Sequence, residues 1–226
     1  MGIERNPELR FGWVWSGCDF SSRFGTPSPA GRPPKDNEAS PAPIAGHAGT
    51  VRLLMVSTVE PRKMYTQAVR AFILLRNKGL DIRLDIVGRK GWKVEETAML
   101  IKGSPCYGES LFWHEGGISD EELDSLYRQA DGVVVTSKWE GFGLAVTEGA
   151  YYGKPLIIRD ISVFREIAGD NAYYFSGYEP EDLARAIEDW LPLFKAGKAP
   201  SSAGIHLTTW QEHTDRLFEI LTGGHS

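Results

Sequence analysis

The sequence has few of the features that mark membrane, metal-binding or nucleic-acid-binding proteins. None of its apolar runs approaches the ~20 residues that span a bilayer, and the first residues lack the apolar core of a signal peptide. Its two cysteines, Cys18 and Cys106, lie far apart without metal-ligand spacing, which favours a reduced pair over a disulfide. The net charge of −5 argues against a broad basic surface for nucleic acid. These absences predict a cytoplasmic protein with no nucleic-acid partner and no transmembrane segment.

Several signatures of catalysis are also absent. There is no Asp-x-Asp pair, no Gly-x-Ser-x-Gly elbow, no Walker loop and no Cys-His nucleophile pair. The glycines of the segment 87–91 do not continue to the third glycine of a dinucleotide fingerprint. The histidines, including His114 at a predicted strand end, are scattered without ligand spacing. Hydrolase, NTPase and dehydrogenase functions are therefore disfavoured, and no metal site is predicted.

The chain divides into two regions of different character near residue 50. Residues 1–50 include a stretch, 26–49, that is crowded with Pro, Gly, Ala and Ser and has no helical or strand periodicity. We interpret 1–50 as a partly mobile interdomain or linker segment, and 51–226 as one folded domain. With 226 residues and 42% hydrophobic content, the chain is long enough to bury a full core.

From Val51 onward, the pattern alternates between short apolar runs and amphipathic segments. The predicted strands are 51–58, 82–88, 111–114, 132–136, 155–159 and 172–175. The predicted helices are 65–78, 94–102, 119–130, 143–152, 162–168 and 180–195. Ser119 and Glu122 have the spacing of a capping box, which marks the start of one helix. The alternation predicts an α/β fold with a doubly wound, mainly parallel, Rossmann-like sheet, which binds ligands at the carboxyl ends of its strands.

The most informative segment lies at one of these strand ends. Glu140 and Glu148 are eight residues apart around a Gly-Phe-Gly turn, which leads from the apolar run 133–137 into a helix. Unpaired amide groups and the helix dipole favour an anion at such a helix start, and a diphosphate fits there. Carboxylates do not hold phosphate, so we expect the two glutamates to accept hydrogen bonds from sugar hydroxyls on either side of the anion.

The spacing E-x7-E, with Gly-Phe-Gly inside it, resembles the donor-binding motif of the retaining glycosyltransferases of family 4, which have the GT-B fold. Further segments match the same family in the same order. They are 56–63, 84–92, 118–123, 159–169 and 207–212. The segment 13–20 also resembles the connection from the acceptor domain to the donor domain in that family. The resemblance covers most of the chain and implies that this is one half of a GT-B enzyme.

The resemblance implies a role for each candidate residue. Glu140 is the catalytic candidate at the donor sugar, and Glu148 would hold the ribose hydroxyls of the nucleotide. The remaining donor-binding candidates are Thr58, Arg62, Lys63, Gly88, Arg89, Lys90, Ile118, Gly141, Phe142, Gly143 and Leu144. Arg62 and Lys63 would neutralise the diphosphate leaving group, whereas without the resemblance a solvated basic pair that opens a helix is the favoured interpretation. The family usually has arginine at Thr58 and glycine at Met64, and Arg62 is a candidate substitute for that missing arginine.

These roles imply a retaining, metal-independent transferase that needs no cofactor. Its substrate would be a nucleotide diphosphate sugar, with a GDP-sugar favoured over a UDP-sugar, since the segments most resemble mannosyl- and rhamnosyltransferases of bacterial surface-polysaccharide synthesis. The acceptor would be a glycan or lipid-linked glycan bound through a second, amino-terminal domain that residues 1–50 are too few to build. Peripheral association with the inner face of the membrane fits that role. A catalytically silent nucleotide-sugar binding module and a GT-B epimerase or phosphorylase remain as alternatives.

Overall fold

The computed structural model describes residues 49–207 and 210–222. The predictions for residues 1–48, including the connecting segment 13–20 and Cys18, lie outside the described residues. The first strand begins at Val51, directly after the predicted boundary at residue 50, but nothing in the structure tests the division into two regions.

Among the described residues, six parallel strands form one sheet. They are β1 (Val51–Val56), β2 (Ile82–Val87), β3 (Leu111–His114), β4 (Gly132–Val135), β5 (Leu156–Arg159) and β6 (Tyr173–Phe175). Their order across the sheet is β3-β2-β1-β4-β5-β6. The register of β1 on β2 runs from Val51 opposite Ile82 to Val56 opposite Val87. The parallel, doubly wound sheet predicted from the sequence is confirmed, and each predicted strand agrees with the observed bounds to within two residues.

Among the described residues, five helices connect successive strands and two more follow β6. They are α1 (Tyr65–Asn77), α2 (Glu95–Lys102), α3 (Asp120–Gln129), α4 (Leu144–Tyr151), α5 (Ser162–Ala168), α6 (Pro180–Lys195) and α7 (Trp210–Thr222). Single turns of 3₁₀ helix occur at Pro61–Lys63 and Ser202–Gly204. The capping box at the start of α3 is confirmed, because the side chain of Ser119 accepts from the amide of Glu122 while the Glu122 carboxylate accepts from the amide of Ser119.

The core consists of two buried clusters, one on each face of the sheet. One cluster combines residues of α1, α2 and α6 with Leu53 and Met55 of β1. The other combines residues of α3, α4 and α5 with Leu54 of the same strand. Successive side chains of a strand point to opposite faces, so β1 contributes to both clusters. This two-sided burial explains why the strands have nearly continuous apolar sequences.

The strand order determines where a ligand site can form. The chain moves outward from β1 to β2 and β3, and then returns to place β4 on the other side of β1. The loops that follow β1 and β4 therefore leave the sheet in opposite directions, which opens a crevice between them at the carboxyl ends of the strands. Both contain predicted site residues. Within the described ranges, no helix is long and apolar enough to cross a membrane.

Candidate functional site

The loops after β1 and β4 meet through the carboxylate of Glu140. The ammonium group of Lys63 donates a hydrogen bond to Oε1 of Glu140, and Ser137 donates to the same oxygen at 2.6 Å. A guanidinium nitrogen of Arg62 donates to Oε2 at 2.6 Å. Both basic residues lie on the 3₁₀ turn that follows β1, 77 and 78 positions from Glu140 in the chain. The structure thus brings together three of the residues that the sequence assigned to one site.

The ionisation of Glu140 reflects this environment. Its side chain is only 7% exposed, and burial alone would raise its pKa. The hydrogen bonds from Lys63 and Ser137, together with the positive charge of Lys63, outweigh burial and hold the pKa of Glu140 below its usual value. Glu140 is therefore a carboxylate at neutral pH.

Arg62 is held in place by three neighbours. Its Nε donates to Oε1 of Glu60 at 2.6 Å, while the opposite end of the guanidinium contacts Glu140. The guanidinium carbon also lies 5.0 Å from the ring centroid of Trp139, a side chain that is 61% exposed. The Arg62 side chain is thus held by these neighbours and is only 26% exposed, which disfavours the interpretation of a solvated basic pair.

Buried polar contacts support the loop beneath Lys63. The hydroxyl of Thr136, at the end of β4, donates to the carbonyl oxygen of Lys63 at 2.6 Å. Arg159, which is 2% exposed at the end of β5, donates from Nε to the carbonyl oxygen of Thr136 at 3.0 Å. Arg159 also donates to the carbonyl oxygen of Gly177 and to the side chain of Gln67 on α1. These bonds join the ends of β4 and β5 to α1 and to the loop after β6.

The start of α4 has the geometry expected of an anion site. Gly143 is the N-cap residue, and no side chain caps this helix start. Gly143 has a left-handed backbone with φ of 91°, and a Cβ atom there would lie 2.7 Å from the ring of Phe164. Glycine is thus required at this position on two grounds. Gly141 and Leu144 are exposed beside it, and Phe142 is partly buried.

Glu148 lies further along α4 in a different environment. It is 8% exposed, and its Oε2 accepts a hydrogen bond of 2.7 Å from the hydroxyl of Tyr127 on α3. The structure therefore places Glu148 between α3 and α4, with a tyrosine partner that sequence reasoning did not identify.

The turn after β2 packs closely on the loop after β1. A Cβ atom at Gly88 would lie 1.8 Å from the carbonyl oxygen of Ser57, so only glycine permits this approach. Backbone bonds of 2.9 and 2.8 Å then link Val59 to Arg89 and Gly91. Arg89 and Lys90 are exposed on the turn, which leaves their side chains accessible from the crevice edge.

The two residues that differ from the usual family pattern, Thr58 and Met64, lie in different environments. Thr58 is exposed just beyond β1, where it is accessible but carries no charge. Met64 has a left-handed backbone with φ of 56° at the junction of the 3₁₀ turn and α1. Such a conformation is unusual for a residue other than glycine, which explains why glycine is usual there in the family. Ile118, the remaining candidate, is partly buried against the core cluster of α3, α4 and α5.

Sequence reasoning missed several residues that hold the site together. Ser137 had a detectable signal, because it precedes Glu140 by three residues at a strand end. Tyr127 had none, since a buried tyrosine in a helix is compatible with many roles. Arg159 begins the segment 159–169 that resembles the family, but no role was assigned to it. Among the described residues, no group of three or more His, Cys, Asp or Glu side chains is placed to hold a metal ion. Cys106 forms no disulfide within the same residues.

The chain is similar to known glycosyltransferases. A family model described as "Glycosyl transferases group 1" matches residues 38–203. The serotype-specific mannosyltransferase WbdA of Escherichia coli is 41% identical over 178 residues, which are 79% of this chain and 22% of that protein. This chain thus spans about a fifth of that relative's length.

Solved structures share the fold at low sequence identity. A glycosyltransferase of Rickettsia africae has a TM-score of 0.64 at 20% identity, and the match covers 77% of this chain and 48% of that one. The C-terminal domain of the glycosyl transferase group 1 protein LpcC of Francisella tularensis has a TM-score of 0.58 at 18% identity. That match covers 75% of this chain and 87% of the other.

The six-stranded parallel α/β sheet thus has the fold of one half of a GT-B glycosyltransferase. The chain belongs to the glycosyl transferases group 1 family. The resemblance inferred from the E-x7-E motif and the accompanying segments is therefore confirmed.

Proposed function

We propose that this chain forms the donor-binding half of a retaining, metal-independent glycosyltransferase, which moves mannose or a similar hexose from a nucleotide diphosphate sugar to a glycan. The observation that carries the proposal is the convergence of Lys63 and Arg62 on Glu140, at the carboxyl ends of β1 and β4 and beside the uncapped start of α4. Two cations and a helix start can neutralise a diphosphate, while the carboxylate faces sugar hydroxyls.

The chemical roles follow from charge. As the bond between the sugar and the phosphate breaks, negative charge develops on the diphosphate, and Lys63 with Arg62 would stabilise it without a metal ion. Arg62 thereby supplies the guanidinium that Thr58 lacks. Glu140 would contact the donor sugar and support positive charge developing at its reacting carbon. The acceptor hydroxyl would approach from the face that the diphosphate leaves, and a departing phosphate oxygen would take its proton.

The choice of donor rests on similarity. The match to a mannosyltransferase supports a GDP-sugar over a UDP-sugar and supports a glycan or lipid-linked glycan as acceptor. We place the acceptor on a second domain, because the crevice lies at one edge of a single described α/β unit. Independence of cofactors and metals, the cytoplasmic location and association with the inner membrane face stay predictions.

Calorimetric titration with nucleotides tests the donor site. GDP and UDP are each titrated into the chain, with and without magnesium. We expect saturable, magnesium-independent binding with a preference for GDP. Glu148→Ala should weaken it by about tenfold or more, because the ribose hydroxyls lose a charged acceptor. Glu188→Ala is the matched control, since Glu188 pairs with Lys78 on the surface of α6 and should leave binding unchanged.

The outcomes separate the candidate functions. Absence of saturable binding for both nucleotides would contradict the proposed donor site. Binding without sugar transfer, once the acceptor and the rest of the enzyme are supplied, would favour the silent binding module suggested by Thr58 and Met64. Equal affinity for the two bases would remove the support for a GDP-sugar.

A further inference from the structure

The hydrogen bond between Tyr127 and Glu148 joins two helices inside the core. Tyr127 is fully buried on α3, and Glu148 is 8% exposed on α4, 21 positions further along the chain. The tyrosine hydroxyl donates to Oε2 of the carboxylate at 2.7 Å. A buried carboxylate needs donors of this kind, because removing its hydration is costly. The bond also restricts the rotation of the carboxylate group about its own axis.

Several contacts fix the position of the Tyr127 ring. It stacks on Tyr152 with a centroid distance of 4.6 Å and an interplanar angle of 3°. The hydroxyl of Tyr152 donates to Oδ1 of Asp124 at 3.0 Å, and Arg128 donates to Oδ2 of Asp124 at 2.7 Å. Asp124 and Arg128 lie on α3 together with Tyr127, and the capping box at Ser119 fixes the start of that helix. The Tyr127 hydroxyl is therefore presented to Glu148 by a ring with little freedom.

We propose that Tyr127 is a positioning residue, which orients the Glu148 carboxylate toward the ribose hydroxyls of the nucleotide and so sets the preference of the site for ribonucleotides. This inference rests on the proposed function, in which Glu148 accepts hydrogen bonds from the ribose. Two adjacent hydroxyls are bound well only when the acceptor oxygens are held in one orientation. Without the Tyr127 hydroxyl, the carboxylate keeps its charge but loses a bond that helps to fix its plane.

The test compares ribose recognition in the original chain and in Tyr127→Phe, which removes one oxygen and keeps the stacked ring. The ligands are GDP and 2′,3′-dideoxy-GDP, or the uridine pair if UDP binds more tightly. In the original chain we expect the ribonucleotide to bind about tenfold or more tightly than the dideoxy form. In Tyr127→Phe the ribonucleotide should weaken about fivefold to tenfold, and the dideoxy form should be unchanged within twofold. Tyr173→Phe, which removes a hydroxyl on β6 beside the core cluster of the opposite face, should keep the original ratio.

Each outcome decides a different point. If Tyr127→Phe weakens both ligands equally, the residue has only a structural role and the inference is overturned. If neither ligand binds the original chain, the donor site fails, and the inference fails with it. If both bind the original chain with equal affinity, Glu148 does not read the ribose, which overturns the inference while the donor site stands.

A double-mutant cycle covers the case in which Tyr127→Phe lowers thermal stability. Glu148→Gln is made alone and together with Tyr127→Phe, and all variants are titrated below their unfolding temperatures. We expect the Tyr127→Phe effect on ribonucleotide affinity to disappear in the Glu148→Gln background, because the hydroxyl acts through the carboxylate. Independent, additive effects would overturn the inference.

Discussion

At the scale of single residues, the site depends on how one carboxylate is neutralised. Glu140 receives hydrogen bonds from Lys63, Arg62 and Ser137 on its two oxygens. A buried carboxylate with this many donors stays ionised, and each donor is oriented by its loop. The same cations are the ones that we expect to face a diphosphate. Under the proposed function, Glu140 would therefore couple the sugar end of the site to the phosphate end.

The pH dependence of stability tests the ionisation of Glu140. Its pKa is lower in the folded chain than the value of about 4.3 expected in the unfolded chain, so the folded state binds fewer protons. The stabilisation is fully present above pH of about 4.3 and is lost as the pH falls through the lower folded pKa. At pH 7, Glu140→Gln should lower the free energy of unfolding by about 1–3 kcal/mol. At acid pH, the difference in the free energy of unfolding between Glu140→Gln and the original chain should become smaller.

Urea unfolding of both proteins at a series of pH values measures this difference. Glu115→Gln serves as the control, because Glu115 pairs with Lys102 near the surface and should change stability by only about 0–1 kcal/mol. The lowered pKa of Glu140 would be contradicted if the difference in the free energy of unfolding between the original chain and Glu140→Gln stayed constant from neutral to acid pH.

At the scale of secondary-structure elements, the start of α4 shows how a turn and a helix build one site. The chain leaves β4, passes Glu140, and enters α4 at Leu144 through the left-handed Gly143. Phe164 of α5 fills the space above Gly143, which leaves no room for a side chain. The helix start is thus held at the crevice by the packing of α5.

Replacing Gly143 tests this packing. In Gly143→Ala, a Cβ atom would meet the ring of Phe164 at 2.7 Å and would force alanine into a left-handed backbone. We expect the free energy of unfolding to fall by about 2 kcal/mol or more. In the matched variant Gly141→Ala, the new Cβ has no atom within 4 Å, and stability should change by less than about 0.5 kcal/mol. Equal losses in the two variants, measured by urea unfolding, would show that Phe164 does not constrain this turn.

At the scale of the whole molecule, two cores share one sheet. Leu75 belongs to the cluster of α1, α2 and α6, and Leu156 belongs to the cluster of α3, α4 and α5. Because β1 contributes side chains to both clusters, neither face is expected to unfold while the other remains intact. The crevice between the loops after β1 and β4 consequently depends on both cores.

Core truncations on the two faces test this cooperativity. Leu75→Ala and Leu156→Ala each remove a fully buried side chain and should lower the free energy of unfolding by about 2–5 kcal/mol. Each variant should still unfold in one transition, and the unfolding curves followed by circular dichroism and by tryptophan fluorescence should coincide. Met99→Ala, at a side chain that is 66% exposed, should change little. Separate transitions in either core variant would mean that the two faces unfold independently.

Much of the fold was predictable because its signals are local. Short apolar runs between amphipathic segments located β1 to β6 to within two residues, and the capping box marked the start of α3. The E-x7-E motif drew attention to Glu140 and to the start of α4, whose roles at a donor stay predictions. Tyr127 and Arg159 were not predictable, since their partners lie on other elements and their own sequence neighbourhoods show only burial.

The sequence by itself determined the elements, the parallel sheet and the edge at which the loops gather, because periodicity, caps and alternating strands and helices depend on residues near one another in the chain. Only the tertiary structure decided the strand order that sets β4 beside β1, and with it the contacts of Lys63 and Arg62 with Glu140. It likewise decided that Tyr127 meets Glu148. These contacts join residues that are separated along the chain, so they form only once the elements that carry them have packed against the sheet.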